Sequence, residues 1–96
     1  MSRVYFSPSA RRDLNAIFNH IVKDNPAAAA SFVRKLKDKC RRMAHFPDMG
    51  KLREDLALHL RCFPVGNYLI FYRSSEDAID IVRILHAARD YAGMLD

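Results

Sequence analysis

Two neighbouring stretches of the chain repeat apolar side chains at the spacing of an α-helix. In the first stretch the apolar positions are Ala10, Leu14, Ile17, Phe18 and Ile21, with Arg11, Arg12, Asp13, Asn15 and Asn19 on the other side. In the second they are Ala29, Phe32, Val33, Leu36, Cys40, Met43 and Ala44. This period is typical of amphipathic helices. Ser7-Pro8 and Asn25-Pro26 each place a capping side chain before a proline, which favours a helix start. Because only a few residues separate the two stretches, we expect an antiparallel helical hairpin.

The second half of the chain has no helical period and is predicted to form strands. Tyr68–Arg73 is an aromatic and aliphatic run, and Ala78–His86 is rich in β-branched side chains. The polar loop between them predicts an antiparallel β-hairpin. Apolar residues on both faces of these strands are typical of central strands. Val4–Phe6 and Leu60–Phe63 predict further strands, whereas Lys51–Leu58 fits either an extended segment or a short turn.

The order of these elements predicts an α+β domain of two layers. A strand and two helices precede a three-strand meander, and the sheet is expected to be small and mostly antiparallel. The helical hairpin covers one face of the sheet, so we expect the other face to carry the function. A chain of 96 residues has room for one core, and residues 1–96 are expected to form a single domain.

The charge balance favours acidic partners. Sixteen lysines and arginines against eleven aspartates and glutamates give a formal net charge of +5. Such a surplus favours nucleic acid or an acidic protein, but many domains carry as much. The basic outer face of the second helix, Arg34 to Arg42, is able to touch nucleic acid, although charged helix faces are usually only solvated. Direct binding of nucleic acid therefore stays open.

Cysteine usage and hydropathy predict a cytoplasmic protein. Cys40 and Cys62 lie far apart and without metal-ligand spacing, so we expect two buried free thiols, which suits a reducing compartment. No apolar run has the length of a membrane span, and the first residues lack the apolar region of a signal peptide.

Five basic side chains lie along or just beyond the predicted β-hairpin and its neighbouring strand: Arg61, Arg73, Arg83, His86 and Arg89. Such side chains can hold phosphates or carboxylates by paired hydrogen bonds. Each arginine alone is expected to be solvated or ion-paired, but the convergence of so many favours a functional surface. His86 has a side chain suited to acid–base chemistry, yet no second catalytic group is held near it by spacing.

Other chemistry finds little support in the sequence. The remaining histidines fall in three different elements, so no metal site is predicted. The three glycines are too far apart for a phosphate-binding loop, and neither Ser74 nor Ser75 has the context of a nucleophile. Tyr68, Tyr72 and Tyr91 are able to stack on bases, although aromatic residues in strands more often pack in a core, as we expect for Tyr72.

An ordered set of motifs resembles the RelE/ParE toxin superfamily of bacterial toxin–antitoxin modules, and is most similar to the ParE branch. The set comprises Ser7-Pro8-x-Ala10-x-x-Asp13-Leu14-x-x-Ile17, Asn25-Pro26-x-Ala28-Ala29 with Phe32, Pro47-x-x-Gly50-x-x-Arg53, Arg61-x-Phe63-Pro64, Tyr68-Leu69-Ile70-Phe71-Tyr72-Arg73, and Ile81-Val82-Arg83-Ile84-Leu85-His86-x-x-Arg89-Asp90. Each motif alone is weak, but together they cover nearly the whole chain in order.

The resemblance implies a toxin that a cognate antitoxin neutralises by direct binding. ParE-type toxins act on DNA gyrase by binding, without a cofactor, whereas RelE-type relatives cleave mRNA on the ribosome. The chain departs from the nuclease pattern because Leu69-Ile70-Phe71 lacks the basic residue of RelE-like strands, and Ala87-Ala88 follows His86. We therefore expect a gyrase inhibitor. The alternatives are a ribosome-dependent endonuclease, and an inactive relative that only binds its antitoxin.

We expect two binding surfaces on such a toxin. For target binding we expect Arg83, His86 and Arg89 with the accessible segment Ala88–Asp96, and then Arg61 and Arg73. For the antitoxin we expect an acidic, amphipathic tail that becomes ordered across the apolar edge of the helical hairpin and sheet. Its expected contacts are Leu14, Ile17, Phe18, Phe32 and Leu36.

Overall fold

The computed structural model describes residues 3–89 and 91–95, and its elements follow the predicted order. The strands are β1 Arg3–Phe6, β2 Lys51–Leu52, β3 Arg61–Val65, β4 Tyr68–Ser74 and β5 Ala78–His86, and the helices are α1 Pro8–Val22 and α2 Pro26–His45. A single 3₁₀ turn follows at Ala92–Met94. The segment Lys51–Leu58, which fitted either an extended or a turn conformation, contains both: the two-residue β2 is followed by turns.

The strands form one sheet in the order β1-β5-β4-β3-β2. β3, β4 and β5 make the predicted antiparallel meander, and β1 pairs with β5 in parallel. β4 and β5 each have a strand on both sides, which confirms their prediction as central strands. The α+β fold with a helical hairpin against a mostly antiparallel sheet is therefore confirmed.

Both helices begin at the predicted caps. The Ser7 hydroxyl accepts a hydrogen bond from the Ala10 N–H at 2.9 Å, and the Asn25 side chain accepts one from the Ala28 N–H at 3.1 Å. Each bond satisfies a donor that has no partner within the helix. The Ser7 hydroxyl also donates to the carbonyl of Val82 at 2.7 Å, so this cap joins α1 to the sheet.

The main core lies between the helices and one face of the sheet. Leu14, Ile17 and Leu36 contribute from the helices, and Ile70 and Tyr72 contribute from the strands. Leu36, Ile70 and Tyr72 have no exposed surface. The prediction that Tyr72 packs in the core is confirmed.

The opposite face of the sheet, which we expected to carry the function, is partly covered. A second cluster of buried residues covers part of that face: Leu60, Cys62, Phe71, Leu85 and Leu95. Leu60 comes from the loop before β3, and Leu95 comes from the segment after the 3₁₀ turn. Because Phe71 and Leu85 alternate with helix-facing residues, they present apolar surface that has to be covered.

An irregularity in β5 changes which side chains face the helices. Tyr72 pairs with Ile81 but the preceding residue, Phe71, pairs with Arg83, so Val82 is an extra residue in β5. This β-bulge shifts the alternation by one position. As a result Ile81 and Ile84, three residues apart, both face the helical core.

The side chain of Tyr72 packs directly against the backbone of Gly50. The Tyr72 hydroxyl donates to the Pro47 carbonyl and accepts from the Gly50 N–H, both at 2.8 Å. A Cβ atom at Gly50 would lie 2.5 Å from that oxygen and 2.7 Å from the ring. Only glycine allows this approach, which gives a physical reason for the Pro47-x-x-Gly50 motif.

Candidate target-binding surface

Beyond the end of β1, the backbone of β5 finds a hydrogen-bond partner in a side chain of α1. β1 ends at Phe6, opposite Ile81, and leaves the last residues of β5 without a strand on that side. The Asp13 carboxylate accepts a hydrogen bond from the Ile84 N–H at 2.9 Å. Backbone groups of β5 that would otherwise lack a partner are thereby occupied.

Arg83 is held in a partly buried position by three hydrogen bonds. Its guanidinium donates two bonds to the Asp13 carboxylate, at 2.8 and 2.9 Å, and a third to the Met94 carbonyl at 3.0 Å. The Arg83 and Asp13 side chains are only 19% and 11% exposed. The bonds to Asp13 raise the pKa of Arg83. Arg83 therefore connects α1 to the segment after the 3₁₀ turn, and offers little of its guanidinium to a partner.

His86 and Arg89 line a small cleft at the end of the β4–β5 pair. The cleft has a volume of about 170 Å³, and its lining also includes Asp13 and Tyr68. The His86 and Tyr68 rings meet edge to face, with centroids 5.2 Å apart. His86 Nδ1 accepts a hydrogen bond from the Ala88 N–H at 3.1 Å. Arg89 is exposed, so this cleft carries an accessible cation.

Arg61 and Arg73 lie towards the other end of the hairpin. Arg73 is opposite Asp80, whereas His86 is opposite Tyr68, which puts about 17 Å of strand between the two positions. Arg61 donates to the Gly50 carbonyl at 2.8 Å, and Arg73 donates to the Leu58 carbonyl at 3.0 Å. Both arginines hold loops onto the sheet.

The five basic residues thus do not converge on one surface, contrary to the expectation from the sequence. Two of them hold loops, Arg83 is partly buried in an ion pair, and His86 and Arg89 share a cleft. Whether basic side chains come together depends on which acceptor each guanidinium binds. Their positions along neighbouring strands do not determine these acceptors. The role of each residue in target binding stays a prediction.

The segment Ala88–Asp96 was expected to be accessible, and its last described part is docked instead. Leu95 is 4% exposed and belongs to the second cluster, and Tyr91 packs against Phe71 with ring centroids 5.2 Å apart. Asp90 and Asp96 lie outside the described residues. Among the residues of this segment whose exposure is described, the exposed ones are Ala88, Arg89 and Gly93.

The residues expected to contact an antitoxin fall into two groups. Leu14, Ile17 and Leu36 are buried in the main core, so their apolar surface is already covered in this conformation. Phe18 is 37% exposed, and Phe32 is partly buried. Phe32 lines a shallow groove with Ile21, Ala28, Ser31 and Lys35.

The role of Asp13 was not predicted from the sequence. The residue was placed among the polar, outward positions of the first helix, yet its carboxylate faces β5 and carries three hydrogen bonds. A partial signal was available, since Asp13 and Arg83 both belong to the motif set and have opposite charges. The helical pattern alone gave no reason to pair them.

Similarity to known proteins decides the family. The family described as "ParE toxin of type II toxin-antitoxin system, parDE" matches residues 4–91. The chain belongs to the ParE toxin family. Toxin ParE3 of Caulobacter vibrioides is 29% identical and covers 99% of this chain and 96% of its own length. Toxin RelE2 of the same organism is 34% identical, over 93% of this chain and 99% of its own length.

A solved structure described as "Chromosomal ParDE TA system from P. aeruginosa" has the same fold. It superposes with a TM-score of 0.76, covers 90% of this chain and 96% of its own, and is 21% identical. The family match over residues 4–91 makes the protein a type II toxin of the ParE/RelE superfamily, a family that implies a cognate antitoxin. Because relatives carry both ParE and RelE names, membership does not choose between the two modes of action.

Within residues 3–89 and 91–95, no three potential ligand side chains come together to hold a metal ion. The helices described are too short or too polar to cross a membrane.

Proposed function

We propose that this toxin inhibits DNA gyrase by binding it, without a cofactor, and that the cleft formed by His86, Arg89 and Tyr68 is part of the contact surface. Arg83 supports this surface by holding α1 and the C-terminal segment against β5. Gyrase is a cytoplasmic enzyme, and we propose the same location for the toxin.

The use of the polar groups in the cleft supports binding over catalysis. His86 Nδ1 already accepts a hydrogen bond from the Ala88 N–H. The Asp13 carboxylate is bound to Arg83 and to the Ile84 N–H. Among the described lining residues, the two groups best suited to general base chemistry are thus already engaged.

The test uses purified toxin in two assays run in parallel. We expect loss of gyrase supercoiling with accumulation of cleaved DNA, while ribosomal translation continues. The variant Arg89→Ala should weaken gyrase inhibition, and Arg3→Ala, which removes an exposed cation from the far end of the sheet, should not. Unchanged supercoiling at saturating toxin would refute the proposal.

The second candidate is a ribosome-dependent mRNA endonuclease, and the similarity to Toxin RelE2 favours it. On this hypothesis Arg61 and Arg73 would stabilise the charge on a transferring phosphate. Cleaved mRNA in the translation assay, with intact gyrase activity, would select it. Inactivity in both assays would leave a relative that only binds its antitoxin.

For the antitoxin we propose an acidic, amphipathic segment across the helical hairpin. Phe18 and Ile21 lie one turn apart on α1, and Ile21 lines the groove with Phe32 and Lys35. This groove offers apolar anchors and a cation at its rim, which suits a helix with one apolar and one acidic face. Of the predicted antitoxin contacts, Phe18 and Phe32 are the ones that keep accessible surface.

Two exposed phenylalanines provide a matched pair of variants. Phe18→Glu should weaken the complex with the cognate antitoxin at least tenfold. Phe46→Glu changes a more exposed phenylalanine, at 63%, about 21 Å along α2 from Phe32, and should not. Equal affinities in a titration by calorimetry would refute the proposed surface, whatever the toxic target is.

A further inference from the structure

The net charge of the protein is concentrated in nine residues of α2. Residues 34–42 contain six cations and a single acid: Arg34, Lys35, Lys37, Asp38, Lys39, Arg41 and Arg42. The other residues of the chain carry ten lysines and arginines and ten aspartates and glutamates. The formal charge of +5 therefore lies in this stretch, which forms the basic face of α2, and the rest of the protein is balanced. Four of its cations line one furrow, whereas Lys37 and Arg41 line a separate cleft beside β1.

These cations are free to meet a partner. Five of them are exposed, and Lys39 is partly exposed. Asp38 pairs with Arg41. Among the described carboxylates, none forms an ion pair with Arg34, Lys35 or Lys39. Apart from Arg41, the cations of this face are not neutralised by any described carboxylate, which keeps a positive potential over this face.

The basic face is also held rigidly. On the other side of the same helix, Leu36, Cys40 and Met43 have no exposed surface. The packing fixes the direction of the helix, and the outer side forms a shallow furrow of about 310 Å³ lined by Ser31, Arg34, Lys35, Asp38, Lys39 and Arg42. A partner would meet cations already arranged along a straight element, which lowers the entropic cost of binding.

The composition of the furrow identifies the kind of partner. A protein partner needs apolar or aromatic anchors for most of its affinity, and single-stranded nucleic acid needs aromatic rings on which bases stack. The furrow lining has neither. A duplex backbone needs only cations and hydrogen-bond donors. We propose that the basic face of α2 binds the phosphate backbone of double-stranded DNA without sequence preference.

The dimensions suit a few phosphates. Residues 34–42 span about 12 Å of helix, and duplex DNA carries about one charge per 1.7 Å of its axis over both strands. Because only the phosphates that face the protein are within reach, we expect about three or four contacts. The furrow shares Ser31 and Lys35 with the groove proposed for the antitoxin, but it shares no lining residue with the His86 cleft. The inference therefore goes beyond the proposed function and does not depend on the toxic target.

The test measures binding of the purified chain to a fluorescently labelled 20-base-pair DNA duplex at increasing salt. The variant Arg34→Gln/Lys35→Gln/Lys39→Gln removes three cations from the basic face. The control Arg3→Gln/Lys23→Gln/Lys51→Gln removes three exposed cations elsewhere, so both variants have the same net charge. Glutamine keeps a helix propensity close to that of lysine and arginine, and circular dichroism with thermal melting checks that both variants fold.

We expect the first variant to bind at least tenfold more weakly near 0.1 M salt, with a salt slope shallower by about two to three. The control should keep the slope of the unchanged chain. Equal weakening by the two variants would overturn the proposal, because binding would then follow total charge. Absence of duplex binding at low salt would also overturn it, as would tighter binding to poly-glutamate or to duplex RNA of equal length.

Discussion

The Arg83 guanidinium is bonded to both the Asp13 carboxylate and the Met94 carbonyl, so its first role is in stability. We expect Arg83→Met to lower the free energy of unfolding by about 2–3 kcal/mol, since charged hydrogen bonds are lost and a little-exposed carboxylate keeps fewer partners. Urea unfolding measures this change.

The exposed neighbour Arg89 provides the control. Arg89→Met should change the free energy of unfolding by no more than about 0.5 kcal/mol. If both variants were equally stable, the ion pair would contribute nothing to folding. Loss of toxicity in Arg83→Met is therefore informative about target binding only after correction for the fraction that is folded.

Gly50 faces the hydroxyl of Tyr72, and a methyl group would collide with the ring. We expect Gly50→Ala to destabilise the protein by about 1–3 kcal/mol, because a buried ring has to shift and two hydrogen bonds are strained. Gly93→Ala is a matched control, since a Cβ atom there meets nothing within 4 Å. Thermal melting measures both variants. Equal melting temperatures would contradict this account.

Cys40 is expected to make stability fall at alkaline pH. Burial raises the pKa of the Cys40 thiol to about 12, whereas an unfolded cysteine has a pKa of about 8.5. Between those two pH values the folded chain keeps a proton that the unfolded chain has released, so unfolding is favoured as pH rises.

The expected loss from this thiol between pH 8 and pH 10 is roughly 1.4–2 kcal/mol. Tyrosines and lysines also titrate, so the comparison is between the unchanged chain and Cys40→Ala, each measured by urea unfolding at both pH values. The variant should lose less stability over this range. Parallel pH dependences would show that the thiol is not buried in the way described.

At the level of elements, the segment after Arg89 is part of the fold. Leu95 lies against a cluster that covers Phe71 and Leu85 on the second face of the sheet. We expect Leu95→Ala to lower the free energy of unfolding by about 2 kcal/mol, since a buried leucine is lost. Leu58→Ala, at a side chain 68% exposed, should have little effect. Equal urea midpoints for the two variants would mean that the segment is not docked.

The elements themselves were largely predictable, because their signals are local. Apolar spacing and the Ser7 and Asn25 caps located both helices, and β-branched runs located the central strands. The second cluster was not predictable in this way. Leu60 and Leu95 carry no periodic signal, and they become core only because the chain brings both over the same face of the sheet.

At the level of the whole molecule, the two clusters share strands β3, β4 and β5 and should unfold together. Each cluster holds one buried free thiol, Cys40 in the main core and Cys62 in the second, which confirms that prediction. We expect the two thiols to become reactive at the same urea concentration, because neither side of a shared sheet keeps its packing alone.

Labelling rates of Cys40→Ala and Cys62→Ala, each with one thiol remaining, measure the two clusters separately. Each rate is compared with the unfolding of the same variant followed by circular dichroism. Labelling of Cys62 well below its global midpoint would mean that the second face opens alone, and would contradict a single cooperative domain.

The sequence by itself determined the α+β order, the helix starts, the central strands and the similarity to a toxin family. Periodicity, capping and β-propensity act over a few residues, and an ordered motif set survives in the linear chain. Only the tertiary structure decided that Arg83 is paired with Asp13, that the second face is covered, and that Arg61 and Arg73 are distant from His86. Side-chain partners depend on residues about 70 positions apart, as for Asp13 and Arg83, and no local pattern encodes such a distance. The basic face of α2 needed both sources. Its excess of cations is visible in the sequence, whereas their exposure is known only from how the helix packs.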